Sequence, residues 1–187
     1  MAYIPHTIYH IYNQGNNQQN IFLQKRNYIF FLQKIRRHLL PHVDILAYCL
    51  MPNHFHLLVY TRKQACETAR NPRTGSTIHD HQVLARALGV LLSSYTKAIN
   101  KQEGRSGALF RGNTKYKKCF YEGMVTLDNA EDLEYATKCF AYIHNNPVKA
   151  KLVKNSTEWN FSSARDYAQL RQGTLCNRVL ARQLDLL

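Results

Sequence analysis

Acidic residues are scarce in this chain: 12 Asp and Glu stand against 25 Lys and Arg, a formal net charge of +13 over 187 residues. So large an excess points to a polyanion or an anionic membrane surface. Long apolar runs are missing too. None approaches the roughly 20 residues that span a bilayer, and the opening "MAYIPHTIYH" lacks the basic start and apolar core of a signal peptide. Nucleic acid, not membrane, is therefore the expected partner. The five cysteines, Cys49, Cys66, Cys119, Cys139 and Cys176, are odd in number and form no Cys-x-x-Cys pair. That fits a reducing cytoplasm, the expected location, and argues against a cysteine-built zinc site. With 45% apolar residues the chain reads as one soluble domain with one core.

Residues 6–13, "HTIYHIYN", alternate as a strand does, and "QGNNQQN" is a turn cluster. Residues 24–40 place Tyr28, Phe31, Leu32, Ile35 and Leu39 at helical spacing. Runs 43–50 and 54–60 are apolar and strand-like, and Pro52-Asn53 between them suits a type I turn, so a β-hairpin is expected. Residues 62–80 are polar and read as a long loop. From Gln82 to about Lys101, Leu84, Leu88, Leu91, Tyr95 and Ala98 predict an amphipathic helix, which Gly104–Gly112 break. Residues 114–121 suit a short strand. A further helix is expected from Asp128, a capping residue followed by Glu131 and Asp132 at the positive end of the dipole. It should end near Asn145, because Pro147 disfavours α geometry in the residue before it. "STEWNFSSARDY" reads as another helix start. The order strand, helix, strand, strand, helix, strand, helix predicts an α+β fold: a ferredoxin-like split βαβ antiparallel sheet with helices on one face and a site on the other. Residues 1–171 form the expected domain and 172–187 a C-terminal tail or helix.

His54 and His56 lie in the second run of that hairpin. Alternate strand residues share a face with Cβ atoms about 6.6 Å apart, so two imidazoles can converge on one cation. Phe55, Leu57 and Val59 then turn to the helices. The pattern alone is weak, since nine histidines make a chance H-x-H pair unsurprising and a second copy exists, His79-Asp80-His81. That copy falls in a polar loop or at a helix start, where the rings would diverge by about 200°. Two surface histidines on an open sheet face remain the plain alternative.

The helix from about Ala130 offers two stripes. Leu133, Ala136, Thr137, Phe140 and Ile143 suit a core; Tyr135, Lys138, Tyr142 and Asn146 form the other. A phenol can attack phosphate, an amide oxygen can bind a hard cation and a lysine can hold a phosphate. A solvated face with a half-buried tyrosine is the alternative. Basic residues also cluster. Residues 97–118 hold Lys97, Lys101, Arg105, Arg111, Lys115, Lys117 and Lys118 against Glu103 alone, and residues 25–37 hold five more and no acid. Two such runs make phosphate contact the expectation. Tyr95, Phe110 and Tyr116 are candidates to stack on unpaired bases, with core packing as the alternative, favoured for Phe110.

Taken together, "YHIYNQGNNQQNIF", "MPNHFHLLV", "GALFRGNTKY", "YIHNNPVKAKLV" and "WNFSSARDY" occur in one order from Tyr9 to Tyr167. The chain resembles the single-tyrosine transposases of the His-hydrophobic-His nuclease superfamily, in particular the REP-associated tyrosine transposases. The resemblance implies that Tyr142 is the nucleophile and that His54, His56 and Asn146 hold Mg²⁺ or Mn²⁺. It implies cleavage and rejoining of single-stranded DNA through a 5′-phosphotyrosine, on hairpin-forming repeats. Its relatives include both monomers and homodimers that exchange the tyrosine helix. Lys138, one turn before Tyr142, is a candidate to favour the phenolate, with a solvated lysine as the alternative. Asparagine stands at Asn146 where related insertion-sequence transposases often have glutamine, and Arg111 where many relatives have glutamine. Two other readings stay open: a DNA- or RNA-binding module without catalysis, and a zinc hydrolase, which would need a third ligand.

Overall fold

The computed structural model describes residues 2–70, 74–75, 77–121 and 129–187, and of 77–80, 120–121 and 129–132 the backbone alone. Six strands and five α-helices are described: β1 (Thr7–Gln14), α1 (Lys25–His38), β2 (Val43–Met51), β3 (His54–Thr61), β4 (Thr68–Arg70), β5 (Thr77–Gln82), α2 (Val83–Gln102), β6 (Lys115–Tyr121), α3 (Asn129–Lys149), α4 (Ala164–Tyr167) and α5 (Arg178–Gln183). The main sheet runs β2-β3-β1-β6 with every neighbour antiparallel, which is the ferredoxin-like order.

Side chains alternate across this sheet and build two cores rather than the single core expected from composition. On one face Ile11, Phe55, Leu57 and Val59 pack under α1 and α2, against Phe31, Ile35, Leu91 and Tyr95. On the other, Ile8, Cys49 and Leu58 meet Ala136, Phe140 and Ile143 of α3. The site face is thus covered by α3 over part of its area. The buried stripe of α2 is Leu84, Leu88, Leu91, Tyr95 and Ile99; Ile99, four residues after Tyr95, takes the last place and Ala98 lies at its margin.

Local chemistry sets the ends of these elements. At the start of α1 the Asn27 side chain accepts from the Leu23 and Gln24 amides and donates to Gln102 Oε1, tying α1 to the end of α2. After α2, Gly104 takes a left-handed φ of 60° and the Arg105 amide returns to the Asn100 carbonyl, a Schellman stop. Gly15 ends β1 where an added Cβ would collide with the Gln19 carbonyl. Residues 62–80 are not a plain loop: a 3-10 turn (Lys63–Cys66) leads to the β4–β5 pair. His81 lies on β5, an extended strand, so the helical divergence expected for His79 and His81 does not apply. The capping expected from Asp128, Glu131 and Asp132 lies outside the described side chains.

α3 passes through Pro147 and ends at Lys149, not near Asn145. A proline lacks one N–H, so only the carbonyl four residues back, that of Ile143, loses its partner. The chain beyond stays bonded, Ala150 N–H to the Asn146 carbonyl at 2.9 Å. Residues 159–163 then run along the free edge of β2, with Leu50 N–H bonding the Phe161 carbonyl, Ser163 N–H that of Tyr48, and Trp159 Nε1 that of Leu50. Residues 172–187 are no loose tail. Asn177 N–H bonds the Ile45 carbonyl, and Ala181 and Leu186 are buried in the second core. The exposed edge of the sheet is thereby closed.

Candidate active site

The hairpin turn is clamped from outside. Gly15 N–H bonds the Asn53 carbonyl, and the Ile21 and Phe22 amides bond that of Pro52. The Asn53 amide group donates to the Gln18 carbonyl at 3.4 Å and its Oδ1 faces His54 Nδ1 at 2.6 Å. An amide oxygen only accepts, so His54 carries its proton on Nδ1 and its Nε2 holds a lone pair.

Two residues further, His56 is 5% exposed, and its ring centre lies 5.0 Å from that of His54. Tyr12 sits opposite His56 in the β1–β3 ladder, and His10 stands two residues before it on the same face. His10 Nε2 lies 2.9 Å from His56 Nδ1. Burial, then the His10 and His54 rings, drives the His56 pKa down to about 2, and burial lowers that of His54. Both imidazoles are consequently neutral at physiological pH, as cation ligands must be.

α3 supplies the opposite wall. The Tyr142 ring meets that of His56 edge-on at 5.6 Å and that of His10 at 6.1 Å, and Tyr142 is 39% exposed. One turn on, Asn146 is buried and donates through Nδ2 to the Tyr142 carbonyl at 2.9 Å, leaving its amide oxygen as the atom for a cation. Lys149, a further turn along, sets its ammonium 4.8 Å from the centre of the Tyr142 ring. Of the residues expected at the centre, His54, His56 and Tyr142 come together, and Asn146 follows one turn after Tyr142 on α3. The plain reading of two surface histidines does not describe His56.

The set suits a divalent cation. His56 Nε2 is buried and has no hydrogen-bond partner among the described residues, and two imidazoles with an amide oxygen suit Mn²⁺ somewhat better than Mg²⁺. Among the described residues no three His, Cys, Asp or Glu side chains converge as a metal set.

The basic residues are distributed rather than pooled. Lys115 and Lys117 stand opposite Tyr12 and His10 on the site face. Lys97 and Arg111 line a groove of about 920 Å³ between α2 and residues 107–116, with Asn13 and Tyr116. Lys101 borders a separate hollow with Arg26. Arg105 is engaged with Gln19 Oε1 at 2.9 Å, Lys118 is exposed on β6, and Lys138 pairs with Glu134 at 2.6 Å on the exposed side of α3. Lys149 takes the place beside Tyr142 that was expected of Lys138. Of the stacking candidates, Tyr95 is fully buried and donates to the Ile21 carbonyl, and Phe110 is buried among Phe31, Phe55 and Tyr95. Neither can meet a base. Tyr116, packed on Tyr3 and Tyr9, is half-buried.

Sequence reasoning missed His10, Asn53 and Lys149. The alternation of residues 6–13 put His10 and Tyr12 on one face, but only the pairing of β1 with β3 brings that face to His56.

No helix among the described residues is long and apolar enough to cross a membrane. No protein-family model matches the chain, and comparison with curated proteins gives no match. Among solved structures the chain is similar to a REP-associated tyrosine transposase bound to a REP hairpin, with a TM-score of 0.57 and 17% identity over 90% of this chain and 83% of that one. The likeness is one of fold: an α+β chain whose antiparallel four-stranded sheet carries packed helices.

Proposed function

We propose that the chain is a single-tyrosine transposase that cleaves and rejoins single-stranded DNA. The observation that carries this reading is the approach of the Tyr142 ring to His56, with His54 beside it and Asn146 one turn along α3, on a ferredoxin-like sheet. The similar solved structure holds a REP hairpin, which makes a hairpin-forming single strand the first substrate to test.

In this reading His54, His56 and Asn146 would hold Mn²⁺ or Mg²⁺. When bound, such an ion supplies Lewis acidity at a phosphate and a fixed template for it. The Tyr142 oxygen attacks phosphorus; the phenol loses its proton, the O–P bond forms, the P–O3′ bond breaks and the 3′ oxygen takes up a proton. The products are a 5′-phosphotyrosine and a 3′-hydroxyl. The reverse attack by a 3′-hydroxyl rejoins strands without an external energy source, because one phosphodiester is exchanged for another. Lys149 offers a positive charge beside the attacking ring. Asn146 and Lys149 follow Tyr142 at helical spacing, so one element presents nucleophile, ligand and cation together.

The test is a labelled hairpin oligonucleotide with single-stranded flanks, incubated with the protein and Mn²⁺ and resolved under denaturing conditions. A protein-linked labelled band that vanishes with chelator is expected. Retarded complexes without any linked band would instead identify a binding module.

A further inference from the structure

We propose that His10 is a positioning residue that holds buried His56 in the tautomer whose Nε2 is unprotonated and ready for a divalent cation. The inference rests on the reading of His54 and His56 as cation ligands and adds a residue to it.

His10 Nε2 and His56 Nδ1 are 2.9 Å apart, and both rings are buried, 6% and 5% exposed. Between two neutral imidazoles that contact needs one N–H and one lone pair, so only two arrangements exist. In the first, His10 donates. His56 then carries its proton on Nε2, where it is buried with no acceptor in reach among the described residues. A buried N–H without a partner is among the rarest defects of folded proteins. Such a ring also cannot ligate a cation through Nε2.

In the second arrangement His56 Nδ1–H donates to His10, and the His56 Nε2 lone pair faces away from it. His10 must then carry its own proton on Nδ1. His56 Nε2, without a partner among the described residues, then presents the lone pair a cation would take. Asn53 does the same for His54 through an acceptor-only oxygen at 2.6 Å. Both candidate ligands thus have Nδ1 held from behind, His54 by the hairpin turn and His56 by β1. Since its Nε2 is already engaged, His10 is not itself a ligand in this arrangement.

The first measurement is ¹⁵N NMR of the imidazoles in the metal-free protein. His56 is expected with a protonated Nδ1 and a bare Nε2; a protonated Nε2 overturns the proposal. The second is Mn²⁺ affinity by electron paramagnetic resonance for the wild type, His10→Leu and His10→Gln. The leucine variant should bind about 10- to 100-fold more weakly. Glutamine, which keeps an accepting oxygen, should recover most of that loss. Equal affinity in wild type and His10→Leu overturns the proposal. If the wild type takes up no Mn²⁺, the cation reading fails, while the tautomer still decides the role of His10. Circular dichroism checks folding; should His10→Leu not fold, the wild-type tautomer and the glutamine variant carry the test.

Discussion

The ring of Tyr142 meets the ring of His56 edge-on with centres 5.6 Å apart, although one sits on the last long helix and the other on the third strand. That approach is made within one chain.

Replacing Tyr142 with phenylalanine should abolish covalent DNA adducts while leaving hairpin affinity within about twofold, because the ring packing on His56 and His10 is retained. Denaturing gels and fluorescence anisotropy report the two quantities. Adducts persisting in Tyr142→Phe would move the nucleophile to another tyrosine, Tyr135 first, whose ring lies under Lys117.

Substituting His54 or His56 with alanine, or adding chelator, should lower cleavage by about 10³-fold or more. A Lewis acid contributes several kcal/mol at a phosphoryl centre, and about 1.4 kcal/mol is tenfold. Single-turnover cleavage with Mn²⁺ measures this, and unchanged rates in both variants would remove the cation from the chemistry.

Binding to single-stranded DNA should weaken as salt rises, and the slope of log K against log salt should flatten by about 0.7 for each phosphate that no longer meets a cationic side chain. Lys115→Ala, on the site face, and Arg111→Ala, in the groove beside α2, are expected to show that flattening. Lys138→Ala should show less, because Lys138 is already paired with Glu134. An equal slope in all three would place the DNA elsewhere.

Stability should fall in acid through Asp44. Burial alone raises its carboxyl, but hydrogen bonds from Arg62 and Asn177 and the Arg62 charge overcome this and hold it below the usual range. A carboxyl lowered in the folded state contributes stability above its unfolded pKa of about 3.9 and loses it as pH falls through the folded value. The loss therefore belongs below about pH 4. Asp44→Asn should cost about 1 kcal/mol at pH 7, a modest figure because the Arg62 side chain is 43% exposed. Thermal unfolding at pH 7 and pH 3 tests it: the gap between wild type and variant should shrink in acid.

Tyr95→Phe should destabilise by about 1–2 kcal/mol, since the buried Ile21 carbonyl loses its donor at 2.7 Å. The urea midpoint should drop without a change in slope. DNA affinity should not move; a matching loss of affinity would restore Tyr95 as a base-stacking residue.

The hairpin was legible because its evidence is local: two apolar runs around Pro52-Asn53, with two histidines at strand spacing. The helices at 24–40 and 82–101 were legible from their apolar spacing. What stayed hidden depends on partners distant in sequence. His10 becomes meaningful only when β1 lies beside β3, setting Tyr12 opposite His56. The β4–β5 pair has little apolar content, so no alternation announced it. Lys149 was missed because Pro147 reads as a stop when taken alone, whereas one absent N–H near the end of a long packed helix is tolerated. The edge-covering role of residues 159–163 was hidden for the same non-local reason.

α3 has two roles: Ala136, Phe140 and Ile143 are sealed into the second core, while the Tyr142 ring, partly exposed, borders His56 and His10. Lifting the helix to free a tethered strand would expose at least Phe140 and Ile143, at about 1.5–3 kcal/mol for each large side chain. A DNA end joined to Tyr142 would thus ride on a fixed platform, and the incoming 3′ end would have to travel to it.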